Sequence, residues 1–194
     1  MTDVLTPEQR HLVMSRVRSR DTKPEMLVRR GLHARGLRFR LQDRKLPGRP
    51  DLVFAKYRTA VFVHGCFWHF HGCGLSKIPG TRPEFWRKKL QDNVARDGKA
   101  VSALLAAGWR VLVIWECALR GTGRLGGSEL LDGAASFITT QRRRHREIRG
   151  RSSVDNAGST PPRLKRGASD RLSRTLTNAG GCDTVLKKAK KSHG

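Results

Sequence analysis

Acidic residues are scarce in this chain: 16 Asp and Glu stand against 40 Lys and Arg in 194 residues, a formal charge of +24 at pH 7. Such a balance favours a polyanionic partner, nucleic acid first and an anionic membrane surface second. Long apolar runs are missing as well. No stretch of about eighteen apolar residues occurs, and the opening MTDVLTPEQR lacks the charged-then-apolar layout of a secretory signal. No membrane role is expected, and the place expected is the cytoplasm or nucleoid. No GxGxxG or P-loop pattern and no internal repeat is present, which leaves nucleotide hydrolysis little support. Cysteine is limited to Cys66, Cys73, Cys117 and Cys182, unevenly spaced, three of them beside histidine or a strand end. In a reducing compartment that pattern points to metal more than to disulfides.

What is there is concentrated in residues 60–73, AVFVHGCFWHFHGC, where a β-branched run delivers three histidines, two cysteines and the adjacent pair Phe67 and Trp68. Upstream, residues 7–20 read as a short basic arm. Thr22 and Glu25 have capping-box spacing with Pro24 in the first turn, and a helix carrying Met26, Leu27, Leu32 and Ala34 closes at Gly36. Leu37 to Leu41 alternates as a strand. Residues 50–54 and 59–64, joined by a loop at 55–58, make a hairpin; a turn centred on Tyr57 sets Asp51 across from Val63.

A long charged helix is expected from Pro83 to about Ala107, with Leu90, Val94, Val101, Leu104 and Leu105 on its apolar side. Trp109 to Trp115 then reads as a central strand buried on both faces, with Cys117 at its end. Ser128 to Thr140 forms a last amphipathic helix. Residues 141–194 hold fifteen Lys and Arg against four Asp and Glu with little apolar content, a segment that cannot offset its ordering entropy by burial. The expected organisation is a folded α/β domain over 1–140, still carrying +13, and a disordered basic tail over 141–194. Its sheet is expected to be mixed, flanked by helices.

Three constellations carry chemistry. Cys66, His71 and Cys73, with Cys117 at a neighbouring strand end, offer a closed Cys3His set for structural Zn²⁺; the bland alternative is inert buried cysteines and a surface histidine. Asp51 offers the hard oxygen that Mg²⁺ needs, the Val63 carbonyl a second ligand, and His64 and His69 proton transfer near neutral pH; a strand-start aspartate and a core histidine are the ordinary alternatives. Glu25 and Asp97 have weaker cases, as a capping residue and a solvated helix charge. Phe67 and Trp68 are expected on a short exposed knuckle and Trp86 near the start of a basic helix, on a positive surface where planar side chains can enter a base stack, against plain core packing.

The segments MSRVRSRDTKPE, LPGRPDLVF, VFVHGCFWHFHGC, TRPEFWRKKLQDNVARD and GWRVLVIWECALRG resemble, in order, the blocks of the very-short-patch (Vsr) mismatch repair endonuclease family. That resemblance implies a restriction-endonuclease-like fold with structural Zn²⁺, and Mg²⁺-dependent nicking of the thymine strand 5′ of a T:G mismatch left by 5-methylcytosine deamination. It implies Asp51 and the Val63 main chain as Mg²⁺ ligands, and His64 and His69 as proton-transfer residues supported by Glu25 and Asp97. Cys66, His71, Cys73 and Cys117 are then the Zn²⁺ ligands, and Phe67, Trp68 and Trp86 intercalate. The partner is mismatched double-stranded DNA met by a monomer, with contacts to other repair proteins left open. Two rivals stand beside this reading: a noncatalytic zinc-stabilised DNA-binding module, and a sequence-specific restriction enzyme of the same fold.

Overall fold

The computed structural model describes residues 20–140 and 142–151, together with residues 6, 8, 9, 12 and 15. The arm expected over 7–20 lies largely outside the described residues, and Cys182 with the tail from 152 onward lies wholly outside them.

Helix α1 (Lys23–Ala34) starts as its sequence dictates: Thr22 Oγ1 accepts from the Glu25 N–H at 3.4 Å, Glu25 Oε2 accepts in return from the Asp21 N–H at 3.1 Å, and Gly36 takes φ +78° just past the end. Its buried face is not the expected one. Glu25, Val28, Arg29 and Leu32 point inward, whereas Leu27 is 44% exposed. Apolar spacing misleads here because two of the inward positions are filled by an ion pair, Arg29 to Glu25 at 2.9 Å.

The strand expected over 37–41 shortens to β1 (Arg40–Leu41), with Leu37 instead buried in the core. Strand β2 (Leu52–Phe54), a 3-10 turn (Ala55–Tyr57) and β3 (Thr59–His64) form the expected hairpin. Its register differs by one residue. Leu52 pairs with Val61 and Phe54 with Thr59, because the turn is four residues long with Arg58 at φ +45° and centres between Lys56 and Tyr57.

Helix α2 (Pro83–Ala106) crosses over to β4 (Arg110–Trp115), which lies parallel to β3 with His64 opposite Trp115. A short helix α3 (Glu116–Leu119) and then α4 (Gly127–Thr140) follow. The sheet order is β1-β2-β3-β4-β5, antiparallel on one side of β3 and parallel on the other. The expected mixed α/β architecture is therefore what forms. Strand β5 (His145–Ile148), parallel to β4, falls in the segment expected to be tail. Only Ile148 of β5 is buried, so backbone pairing rather than an apolar signal recruits this edge.

Alternation along β3 and β4 makes two cores. Val61, Val63, Leu112 and Ile114 face α1 and α4, while Ala60, Phe62, Val111, Val113 and Trp115 face Leu104 of α2. Helix α2 is 24 residues long yet fully buries only Leu90 and Leu104; Val94, expected inside, is 44% exposed. Among the described residues no helix is long and apolar enough to cross a membrane.

One buried cation joins the layers. The Arg110 guanidinium donates to the carbonyls of Ile138 at 2.9 Å and Arg143 at 3.0 Å, and to that of Phe137, and lies 4.4 Å over the Phe137 ring. It satisfies the carbonyls at the end of α4 and leads the chain into β5. Replacing Arg110 with Met should lower the thermal midpoint by roughly 5–10 °C, since several buried carbonyls lose partners at about 1–3 kcal/mol each. Lysine, lacking the planar fork, should recover less than half of that loss. An unchanged midpoint by scanning calorimetry would remove Arg110 from this role.

Candidate active site and metal centre

The ends of β2 and β3 meet at one place. Asp51, just before β2, accepts from the Val63 N–H through Oδ2 at 2.7 Å. Burial, above all, pushes the Asp51 carboxyl up to about 6, the Val63 hydrogen bond pulls it down, and the nearby Glu25 charge raises it again. Arg29 works in the other direction but is shared with Glu25 and Asp21. Glu25 thus holds the capping position and also faces Asp51.

His64, last residue of β3, is buried and lies flat against His69, with ring centroids 3.8 Å apart and planes 2° from parallel. His69 Nδ1 meets Asp97 Oδ2 of α2 at 2.5 Å. With the Asp97 carboxylate accepting, Nδ1 is the donor of that bond. Burial first, then the His69 charge, pushes His64 down to about 3, so this ring stays neutral at physiological pH. Although burial opposes ionisation of Asp97, the His69 hydrogen bond and charge bring its carboxyl below the ordinary range. A cavity of about 650 Å³ opens beside this stack, walled by His64, Asp97, Arg49, Arg96 and Lys99.

The second centre begins two residues past the end of β3. Cys66, His71, Cys73 and Cys117 bring their ligand atoms within 4.8 Å of one another. The His71 Nδ1 is 3.7 Å from Cys66 Sγ and 3.5 Å from Cys117 Sγ, bracketing the edge of about 3.6 Å that a tetrahedral thiolate–imidazole centre requires. Backbone donors already point at the sulfurs: the Cys117 N–H reaches Cys66 Sγ and the Gly150 N–H reaches Cys117 Sγ, both at 3.3 Å. Glu116 Oε2 accepts from the Cys66 N–H at 3.1 Å and steadies the knuckle. Burial pushes the Cys66 and Cys117 thiols up, so those two sulfurs favour protons or a cation over bare thiolates, whereas burial of Cys73 is outweighed by hydrogen bonds that bring its thiol down. His64, His69 and Asp97 form a second group of close donor atoms.

The third set is aromatic. Phe67 lies 5.0 Å from Trp68 and 5.3 Å from Trp86, ring centre to ring centre, so the knuckle and the start of α2 share one half-buried cluster. Phe85, 48% exposed, extends it, and Lys89 sits over three of its rings at 5.7–5.9 Å. Asn93 donates to the Trp68 carbonyl at 2.9 Å and pins the tip.

Every expected site residue therefore joins one of three adjoining groups. Sequence reasoning missed Arg29, Phe85, Lys89, Asn93, Glu116 and Gly150. Phe85 and Lys89 have the i,i+4 spacing that could have marked them; Gly150 had no signal, lying 33 residues from the cysteine it serves.

Because the folded pKa of Asp51 lies above its unfolded value, the native state binds the extra proton between about pH 4 and 6, and stability falls as pH rises through that window. In chelator, Asp51→Asn should therefore melt several degrees above the parent at pH 7.5, reflecting up to about 3 kcal/mol, and lose that advantage near pH 4. A variant less stable than the parent at pH 7.5 would refute the desolvated carboxylate.

Residues 2–75 match the family model described as DNA mismatch endonuclease Vsr. Type II nicking enzyme V.XorIIP of Xanthomonas oryzae pv. oryzae is 50% identical over 125 residues, covering 64% of this chain and 92% of that protein. DNA mismatch endonuclease Vsr of Escherichia coli is 45% identical over 150 residues, 73% of this chain and 96% of the relative. A type II nicking enzyme of Neisseria meningitidis, V.NmeAIP, is 44% identical over 120 residues, 62% of this chain and 86% of its own. At such identity over nearly the whole of those relatives, this chain belongs to the Vsr DNA mismatch endonuclease family.

Proposed function

We propose that this protein is a Mg²⁺-dependent endonuclease that nicks the thymine-bearing strand 5′ of the T in a T:G mismatch arising from 5-methylcytosine deamination. The observation that carries the reading is the convergence of the Asp51 carboxylate with the His64–His69–Asp97 stack at the ends of β2 and β3. A sheet presenting its acid at that edge also supports a restriction-endonuclease-like fold.

The donor chemistry suits two different cations. Asp51 is a hard, under-compensated oxygen, and the Val63 carbonyl leaves the strand on the same edge as the N–H that meets Asp51. Mg²⁺ held there would supply charge neutralisation and a more acidic water. His69 moves a proton at Nε2 while Asp97 holds its ring, and neutral His64 sets the plane of that ring. Glu25 and Arg29 position Asp51.

Three thiols and an imidazole are soft ligands with no position left for water, which suits a structural Zn²⁺ on Cys66, His71, Cys73 and Cys117. Phe67, Trp68 and Trp86 would enter the base stack beside the mismatch. Unstacking costs a few kcal/mol per step, less at a mispair, and this difference favours mismatched DNA. The +24 charge supplies attraction that does not depend on sequence.

With Mg²⁺, a T:G duplex should be nicked on the T strand and the matched duplex at least about 100-fold more slowly, while Asp51→Asn should bind DNA yet cut neither. Equal cutting of matched DNA would favour a sequence-specific nuclease, and binding without nicking under every condition would favour a DNA-binding module. Metal analysis of the purified protein should find one Zn²⁺ per chain, and Cys66→Ser should lose it together with thermal stability. Folded protein free of zinc would refute that assignment.

A further inference from the structure

Between the four-ligand cluster and the histidine stack lies a side chain that neither uses. Trp115 ends β4, and the parallel register sets it beside His64 on the face that looks toward α2. One face of its indole stacks on His71, with centroids 4.2 Å apart and planes 19° from parallel. The same ring meets His64 at 5.3 Å and 72°, an edge-to-face contact. A continuous line of rings therefore runs from the ligand His71 through Trp115, His64 and His69 to the Asp97 carboxylate.

The indole is itself fixed. Its Nε1 donates to Glu147 Oε2 of β5 at 2.9 Å, and β5 is registered so that Glu147 pairs with Val113, two residues before Trp115 on the same face. An indole that is 9% exposed needs such a partner for its N–H, and the bond stops it from sliding along the two imidazoles.

We propose that Trp115, latched by Glu147, is a positioning residue that transmits the order of the metal cluster to the His64–His69 pair. The physical case rests on rigidity. Among the described residues His64 makes close ring contacts with Phe62 at 5.5 Å, His69 and Trp115 alone, so Trp115 is the element that defines its plane from the β4 side. His69 lies flat on His64, and a tilt of one ring displaces the other. When the cluster holds its ion, His71 is fixed by coordination and becomes a hard wall for the indole. When the cluster is empty, His71, Trp115 and the stack loosen together. The cluster then does more than hold the knuckle: it sets the angle of the proton-transferring ring.

The inference rests on the nuclease reading for its kinetic arm and on ring signals for its other. In the full-length, zinc-loaded protein, Trp115→Leu should lower the single-turnover nicking rate on the T:G duplex by about 10–100-fold, with duplex affinity within about threefold and zinc content still one per chain. Trp115→Phe, which keeps a ring between the imidazoles, should stay within about fivefold. Glu147 is partly exposed on an edge strand, so Glu147→Ala tests the latch without threatening the core. It should slow nicking by about 3–10-fold and shift the imidazole ¹⁵N signals of His64 and His69, and Glu147→Gln should restore both.

Unchanged ring signals in Glu147→Ala would overturn the proposal. So would a rate loss in Trp115→Leu that simply follows loss of zinc, which would assign the indole to the metal cluster alone. A parent protein that does not nick T:G DNA would defeat the nuclease reading, while the ring signals would still report on the coupling.

Discussion

The parallel pairing that sets His64 of β3 beside Trp115 of β4 decides where each chemistry can stand. Two strands ending at the same level present their next residues to one another. After His64 come the knuckle residues Cys66, His71 and Cys73; after Trp115 comes Cys117, and the four converge. A parallel pair also demands a crossover, and α2 is that crossover. It returns over the strand ends carrying Trp86 to meet Phe67, and Asp97 to meet His69. Had the pairing been antiparallel, a tight hairpin would have sufficed, and neither contact would exist.

The same geometry creates a local conflict of charge. In a chain of +24, the described acids nearest the strand ends are drawn inward: Glu25 is 5% exposed and Asp51 is desolvated. Arg29 is shared between Glu25 and Asp21, so the carboxylate of Asp51 is left short of positive charge. A structural site would have relaxed that imbalance with another arginine. A site that binds a cation, as proposed for Asp51, would keep it, with the fold carrying the cost elsewhere, through the two apolar cores and the Arg110 junction.

Much of this was legible in the residues. The β-branched runs of β3 and β4 are buried on both faces and read directly, and the cysteine–histidine spacing of the knuckle foretold the cluster found at the strand ends. The hairpin register slipped by one because nothing in Ala55-Lys56-Tyr57-Arg58 marks its centre, and an arginine in the left-handed region leaves no glycine as a clue. Strand β5 was invisible for a different reason. Its sequence, His145-Arg146-Glu147-Ile148, buries one side chain and is held by backbone pairing, so composition alone made it tail. The inward face of α1 was hidden likewise, since an ion pair occupies positions that periodicity reserves for apolar residues.

The histidine stack shows why two rings at 3.8 Å are not two equivalent bases. Two imidazolium charges at that separation would repel by about 4 kcal/mol even at an effective dielectric of about 20, so the pair disfavours a second positive charge. Burial settles which ring forgoes it: His64, deep at the strand end, is pushed down to about 3 and serves as a neutral platform. His69, half-buried with its Nδ1 on Asp97, stands nearer the surface and is the ring that the proposed mechanism uses for proton transfer. The division needs no difference in residue type. It follows from a single step in depth between the end of a central strand and the loop that folds back over it.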